Sequence, residues 1–174
     1  MSITERKNDF RAPSEARYEP RAVAHAPEGI IFAVADVAGT PEQAFRALTT
    51  DEVERWWAMP GMYRQKDWKA DLRVTGAWSV TVELTTGETV YASGEFCELD
   101  FPRKLVMTRR FSAHPFLGDR ETTITYDFLP SPHGTRISVK DEGFIGRSEA
   151  AFGNAQIWEK VLSWLDAYLA TQNR

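Results

Sequence analysis

Residues 78–99 read WSVTVELTTGETVYASGEFCEL. Trp78, Val80, Val82 and Leu84 alternate with Ser79, Thr81 and Glu83, the period-two pattern of a strand with one apolar and one wet face. TTGE at 85–88 supplies a turn, and the next strand runs from Tyr91 to Leu99. The rhythm extends to both sides, from Trp68 to Lys140. Asp100–Arg103, with Pro102, turns the chain again. Leu105, Met107, Arg109 and Phe111 then share one face of a strand. After a loop at Ala113–Asp119, Ile124, Tyr126 and Phe128 alternate with Thr123, Thr125 and Asp127. SPHGT at 131–135 is another turn, and Ile137 and Val139 close the run. Strands joined by short turns predict an antiparallel meander with one solvated face.

The flanking segments change period. IIFAVADV at 30–37 is apolar and β-branched, and predicts a strand. In GTPEQAFRALTT, Thr40 is placed to cap a helix, Pro41 suits its first position and Gln43 completes a capping box. Thr49 and Glu52 repeat that spacing ahead of Val53 and the pair Trp56–Trp57, which predicts a second short helix. Ala58–Gln65, with Pro60 and Gly61, reads as a loop. From Ser148 to about Ala170, the residues Ala155, Trp158, Val161, Leu162, Leu165, Tyr168 and Leu169 fall at helical steps, opposite Glu159, Lys160, Ser163 and Asp166. At ~1.5 Å per residue this helix is about 35 Å long, enough to cross a sheet. Residues 1–28 are polar and Pro-containing, and read as an N-terminal extension ahead of one domain at 29–174. The sharper reading of that arm is a homodimer or partner contact anchored by Phe10 and Tyr18.

The expected architecture is α+β: a strand, two short helices, an antiparallel meander and one long helix. A curled sheet and a straight helix cannot touch along their whole length. The short helices and their loop can roof the gap, which is a way to build an apolar pocket.

GAWSVTV with its hairpin, SGEFCELDFPRKLVMTRRF, TTITYDF, GTRISVKDEGF, IWEKVLSWLDAYL and the early LTTDEVERWW together resemble the SRPBCC or START-like superfamily. The nearest group is that similar to the C-terminal domain of the activator of heat-shock protein 90 ATPase. The resemblance spans about residues 30–170. It implies a helix-grip (START-like, Bet v-like) fold, in which a curved antiparallel sheet wraps the C-terminal helix around a hydrophobic cavity. It implies no single activity, since such proteins include chaperone-stimulating domains, polyketide cyclases and aromatases, and lipid carriers. Members of the group usually carry an apolar or aromatic residue where this sequence has Arg109.

Composition narrows the chemistry. The chain has 174 residues and a net charge of −4, with no clustered basic surface of the kind nucleic acid requires. One cysteine, Cys97, excludes an internal disulfide and a Cys-rich zinc site. His25, His114 and His133 lie far apart without ligand spacing, so no metal or other cofactor is expected. No run reaches the roughly 18 apolar residues of a membrane span, and MSITERKNDFRAP lacks a signal-peptide core, so a cytoplasmic protein is expected. There is neither a Gly-x-Ser-x-Gly elbow nor a phosphate-binding glycine loop, and no catalytic residue is assigned.

What stands out is aromatic content: six Trp and ten Phe. Trp56, Trp57, Met59, Met62, Tyr63 and Trp68 gather where the roof should lie. Trp78, Phe96, Met107 and Tyr126 can face inward from the sheet, with Phe144 and Trp158 from the helix side. Aromatic walls with adaptable methionines suit flat or greasy ligands. Ordinary core packing is the competing explanation for each residue. Trp56 and Trp57 point about 100° apart on a helix, so at most one can be fully core-facing. Arg109 is the polar exception on an inward face. It either pairs with a carboxylate or sits at the wet end of the cavity, or it anchors a ligand carboxylate or enolate, with Tyr126 and Tyr91 adding hydroxyls. Asp141 and Glu142 read as solvated acids at a strand end, with paired acid–base work as the alternative. Asp51, Glu52 and Glu54 suit a helix N-terminus. Cys97 reads as a buried structural thiol sharing a face with Leu99, with a reactive thiol as the alternative.

Three functions follow in order. The first is an intracellular binding protein for a small hydrophobic or aromatic molecule, held by Trp56, Trp57, Met62, Trp68, Trp78, Phe96, Met107, Arg109, Tyr126, Phe144 and Trp158. The second is a cyclase- or aromatase-like enzyme. The third is a co-chaperone regulator of the heat-shock ATPase, ranked lower because a lone domain lacks the second module of such activators. Neither nucleic acid nor membrane is an expected partner.

Overall fold

The computed structural model describes residues 16–174. Phe10 therefore lies outside the described residues. Among them, nine strands form one antiparallel sheet: β1 (Arg21–His25), β2 (Ile30–Val37), β3 (Ala58–Met59), β4 (Tyr63–Ala70), β5 (Ala77–Leu84), β6 (Thr89–Asp100), β7 (Lys104–Phe111), β8 (Thr122–Ser131) and β9 (Gly134–Glu142). The spatial order is β1-β2-β9-β8-β7-β6-β5-β4-β3. Three helices are described: α1 (Pro41–Thr49), α2 (Val53–Trp56) and α3 (Ser148–Gln172). This is the helix-grip architecture, a curved sheet gripping a long C-terminal helix.

α1 forms as its sequence predicts. Thr40 accepts from the Gln43 amide, the Gln43 side chain accepts from the Thr40 amide, and Pro41 opens the helix. α2 has no side-chain cap at Glu52. Thr50, not Thr49, bonds the Glu52 amide, while the Thr49 hydroxyl is spent on the Phe45 carbonyl. α3 lies against β1 and β2. It buries Trp158, Val161, Leu162, Leu165 and Leu169, which join Phe45, Phe96, Phe128 and Ile137 in one core. Full burial of an aliphatic side chain such as Leu162, Leu165 or Leu169 contributes roughly 1.5–3 kcal/mol, so the helix is held by packing.

Three sequence expectations change. Residues 21–25, assigned to the polar extension, form β1 and pair with β2 from Arg21↔Val34 to His25↔Ile30. The structured domain therefore starts before residue 29. Arg17 and Tyr18 are also tied down: Arg17 pairs with Asp166, and the Tyr18 amide donates to Asp36 at 2.9 Å. Residues 58–65, expected as a loop, fold into the short β3–β4 hairpin. Cys97 is exposed. A register shift between Phe96 and Glu98 inserts an extra residue, so Cys97 and Leu99 fall on opposite faces.

Candidate functional site

The sheet opens away from the first half of α3, and α2 with the β3–β4 hairpin covers the opening. Beneath them is a cavity of about 380 Å³. β5 and β6 supply an aliphatic floor of Val80, Val82, Leu84, Val90 and Ala92. Trp78, Met107, Phe111, Ile124 and Tyr126 continue it, and Trp57, Met62, Tyr63 and Trp68 form the roof. His114 and Pro115 come from the β7–β8 loop, and Asn154 and Ile157 from α3. The volume is on the order of a dozen water volumes, at the lower end of ligand-pocket sizes.

Local sequence sets these positions. In β4 the register slips between Lys66 and Lys69, and Asp67 takes a left-handed backbone with φ of 57°. The bulge keeps both Gln65 and Trp68 on the inner wall, although their parity differs. Trp68 stacks on Trp78 at 5.6 Å between centroids. Trp78 donates from Nε1 to the Thr108 carbonyl at 3.0 Å. That approach needs Gly94: a Cβ there would stand 1.9 Å from the Thr108 carbonyl oxygen and 2.8 Å from the indole nitrogen.

The tryptophan pair divides its roles. Trp56 is buried and donates to the Ala47 carbonyl at 3.0 Å. Trp57 stacks on it at 5.3 Å, faces the cavity and donates to the Tyr63 hydroxyl at 3.3 Å. Burial raises the Tyr63 hydroxyl above its ordinary pKa, opposed by the Trp57 N–H and by Arg109.

The polar end is built on Arg109, 7% exposed, at the cavity wall. Its Nη2 donates to Asp141 Oδ2 at 2.8 Å, and the Trp158 indole donates to the same oxygen at 3.0 Å. Asp141 is wholly buried, so it is not the solvated acid its strand-end position suggested. Glu142 instead pairs with Lys140 at the surface. Burial pushes the Asp141 carboxyl up, and Arg109 is the main opposing influence. Arg109 Nε, Asp141 Oδ1 and Thr122 Oγ1 are buried without a well-formed hydrogen bond. The guanidinium also lies over Phe111, 5.1 Å from the ring centre.

Tyr126 is 2% exposed and its hydroxyl, which burial pushes up, has no hydrogen-bond partner among the described residues. Tyr91, the other candidate hydroxyl, points outward. His114 accepts at Nδ1 from the amides of Phe116 and Leu117 at 3.2 and 3.0 Å, which leaves the ring proton on Nε2. Burial, then Arg109, lowers its pKa.

Of the residues singled out from sequence, Trp57, Met62, Trp68, Trp78, Met107, Arg109 and Tyr126 line the cavity. Trp56, Phe96, Phe144 and Trp158 do not, and all four are core. Trp56 points to α1. The Phe96 side chain is wholly buried in the core, and its backbone bonds Thr75 and Gly76. The Phe144 amide is fastened to the Gly29 carbonyl at 3.0 Å. Trp158 lies one helical step beyond the wall residue Ile157. Its ring backs Trp57 and Tyr126 at 6.0 and 5.8 Å as a second layer. Gln65, His114 and Asn154 carried no sequence signal. Asn154 reads as a helix residue, and only the direction of α3 turns it inward.

Two other concavities exist. An open groove of about 760 Å³ on the outer face is lined by polar residues such as Lys69, Ser79, Ser93 and Thr108, and suits water. An apolar cleft of about 310 Å³ lies between Phe45, Leu72, Leu99 and Phe101. Neither encloses its contents as the inner cavity does. Among the described residues, no three His, Cys, Asp or Glu side chains are placed to hold a metal ion. No described helix is long and apolar enough to cross a membrane.

Comparison with known proteins agrees with this geometry. The family model described as Activator of Hsp90 ATPase homolog 1-like protein matches residues 38–170. A solved structure from Rhodobacter sphaeroides has a TM-score of 0.75 at 19% identity, over 88% of this chain and 99% of that one. One from Chromobacterium violaceum gives 0.67 at 22% identity, over 81% and 97%. An AHSA1-like protein from Aeromonas hydrophila gives 0.64 at 17% identity, over 83% and 94%. At these identities the structures establish the fold alone. A comparison with curated proteins found no match.

Proposed function

Since the chain belongs to the Activator of Hsp90 ATPase homolog 1-like protein family, we propose that it is a binding protein that holds a small hydrophobic or aromatic molecule between its sheet and α3. The observation that carries this reading is the partly open cavity of about 380 Å³, walled by Trp57, Trp68, Trp78 and Met107, with Arg109 and Tyr126 in its lining. Apolar walls supply affinity by removing ligand surface from water, and a few polar groups fix orientation. A cytoplasmic location fits such a role.

Holding is favoured over turnover by how the titratable groups are occupied. Asp141 is paired with Arg109 and Trp158, and His114 spends Nδ1 on two backbone amides. The Tyr126 hydroxyl is pushed above its ordinary pKa by burial. None is poised to accept a proton from a ligand near neutral pH. The co-chaperone role rests on the family description alone.

Native mass spectrometry and thermal shift with a panel of hydrophobic metabolites test the proposal. One-to-one adducts with raised melting temperatures are expected. A panel in which no compound binds or stabilises would remove the carrier reading.

A further inference from the structure

Resting on the ligand-binding reading of this cavity, we propose that its ligand presents a neutral acceptor, a carbonyl oxygen on a flat apolar frame, to Arg109 and Tyr126, and that the site disfavours the corresponding carboxylate. At one end of the cavity wall two donors lack a full set of acceptors. Arg109 and Tyr126 are both more than nine-tenths buried and both face the cavity. The guanidinium makes one hydrogen bond, to Asp141, and the Tyr126 hydroxyl makes none among the described residues. Polar groups in an apolar interior are ordinarily hydrogen-bonded, so the unpartnered Arg109 Nε and the Tyr126 hydroxyl at one end of an apolar cavity mark where a ligand oxygen belongs.

Charge then selects the kind of oxygen. Asp141 stands behind the wall, outside the lining, and its carboxylate already neutralises Arg109 at 2.8 Å. Two donors converge on its Oδ2, from Arg109 and Trp158, which favours the ionised form. Protonating it would also leave the guanidinium without a counter-ion. A ligand carboxylate would bring a whole negative charge into an apolar cavity with no uncompensated cation, and such burial is costly. The remaining titratable groups at the wall do not change the sum: His114 carries its single proton on Nε2, and Tyr63 is an uncharged phenol accepting from Trp57. A ketone or similar carbonyl accepts both donors without bringing charge. Trp57, Trp68 and Trp78 supply the flat surfaces that its frame would lie against.

The test is a matched series titrated against the full chain by calorimetry at pH 7.5: 2-acetylnaphthalene, 2-naphthoate and 2-isopropylnaphthalene. The ketone is expected to bind about fivefold to tenfold tighter than the hydrocarbon and than the carboxylate. Tyr126→Phe, which preserves shape, should erase most of the ketone's lead over the hydrocarbon. Asp141→Asn should shift preference toward naphthoate. The wild-type series decides the matter even if that variant does not fold. Equal binding by all three leaves the ligand site standing and overturns the acceptor proposal, as does a preference for naphthoate. Failure of all three to bind overturns the ligand-binding reading and this proposal with it.

Discussion

Arg109 Nη2 stands 2.8 Å from Asp141 Oδ2, with the arginine side chain 8% exposed and the aspartate side chain wholly buried. The pair joins β7 to β9 across β8 and places a neutralised cation at the end of an apolar cavity. Removing one partner strands the other. Asp141→Asn is expected to lower unfolding free energy by about 3–5 kcal/mol in urea, whereas Arg109→Met with Asp141→Leu should recover most of that loss. A loss below about 1 kcal/mol for the single variant would show that the two do not form a buried ion pair.

Asp36 predicts the acid limb of stability. Burial would raise its carboxyl, but Arg136, bonded at 2.9 and 3.0 Å, and the Tyr18 amide together hold it below the ordinary value. A carboxyl depressed in the folded state contributes stability that is complete above its unfolded pKa, about 4, and is lost as pH falls through the folded value. Melting temperature should therefore drop below about pH 4. Asp36→Asn should melt lower at neutral pH and lose less on acidification. A variant with the same acid slope as wild type would exclude Asp36 as its source.

His114 predicts a local event at milder pH. Its pKa is lowered in the fold, so the unfolded or opened loop binds the proton first, and order is lost as pH falls from about 6.5 through the folded value. Protonated Nδ1 cannot accept from Phe116 and Leu117. The protection of those two amides, with the intrinsic pH dependence of exchange divided out, should fall between about pH 7 and 5 more than protection within α3. His114→Gln should remove that pH dependence, and an unchanged profile would refute the link.

The inner wall itself can be filled. Ala92 is buried and faces the cavity from β6. Ala92→Phe is expected to weaken binding of the neutral fluorophore N-phenyl-1-naphthylamine by about tenfold or more, at a stability cost of no more than about 1–3 kcal/mol. Undiminished fluorescence would place the probe elsewhere, with the Phe45–Phe101 cleft the alternative.

The architecture was legible because period and capping act locally. The alternation from Trp78 to Val139, the Thr40–Gln43 box and the apolar stripe of α3 each state their element directly. What escaped was set by register and by direction. The slip after Phe96 turns Cys97 outward, and the one at Asp67 sets Gln65 on the same wall as Trp68, and neither leaves a compositional mark. β1 reads as polar because an edge strand buries little, yet it gains a full ladder from β2. Parity placed Arg109 inside but could not name Asp141, which is 32 residues away in sequence. Trp158 and Ile157 are adjacent in sequence, and only the placement of α3 makes one core and the other cavity wall.

The most direct measurement is a crystal structure of the protein soaked with 2-bromonaphthalene, read by bromine anomalous scattering. The account predicts a bromine peak enclosed by Trp57, Trp68, Met107 and Tyr126. A collapsed interior with no peak there, or bromine only in the open cleft beside Phe101, would contradict it.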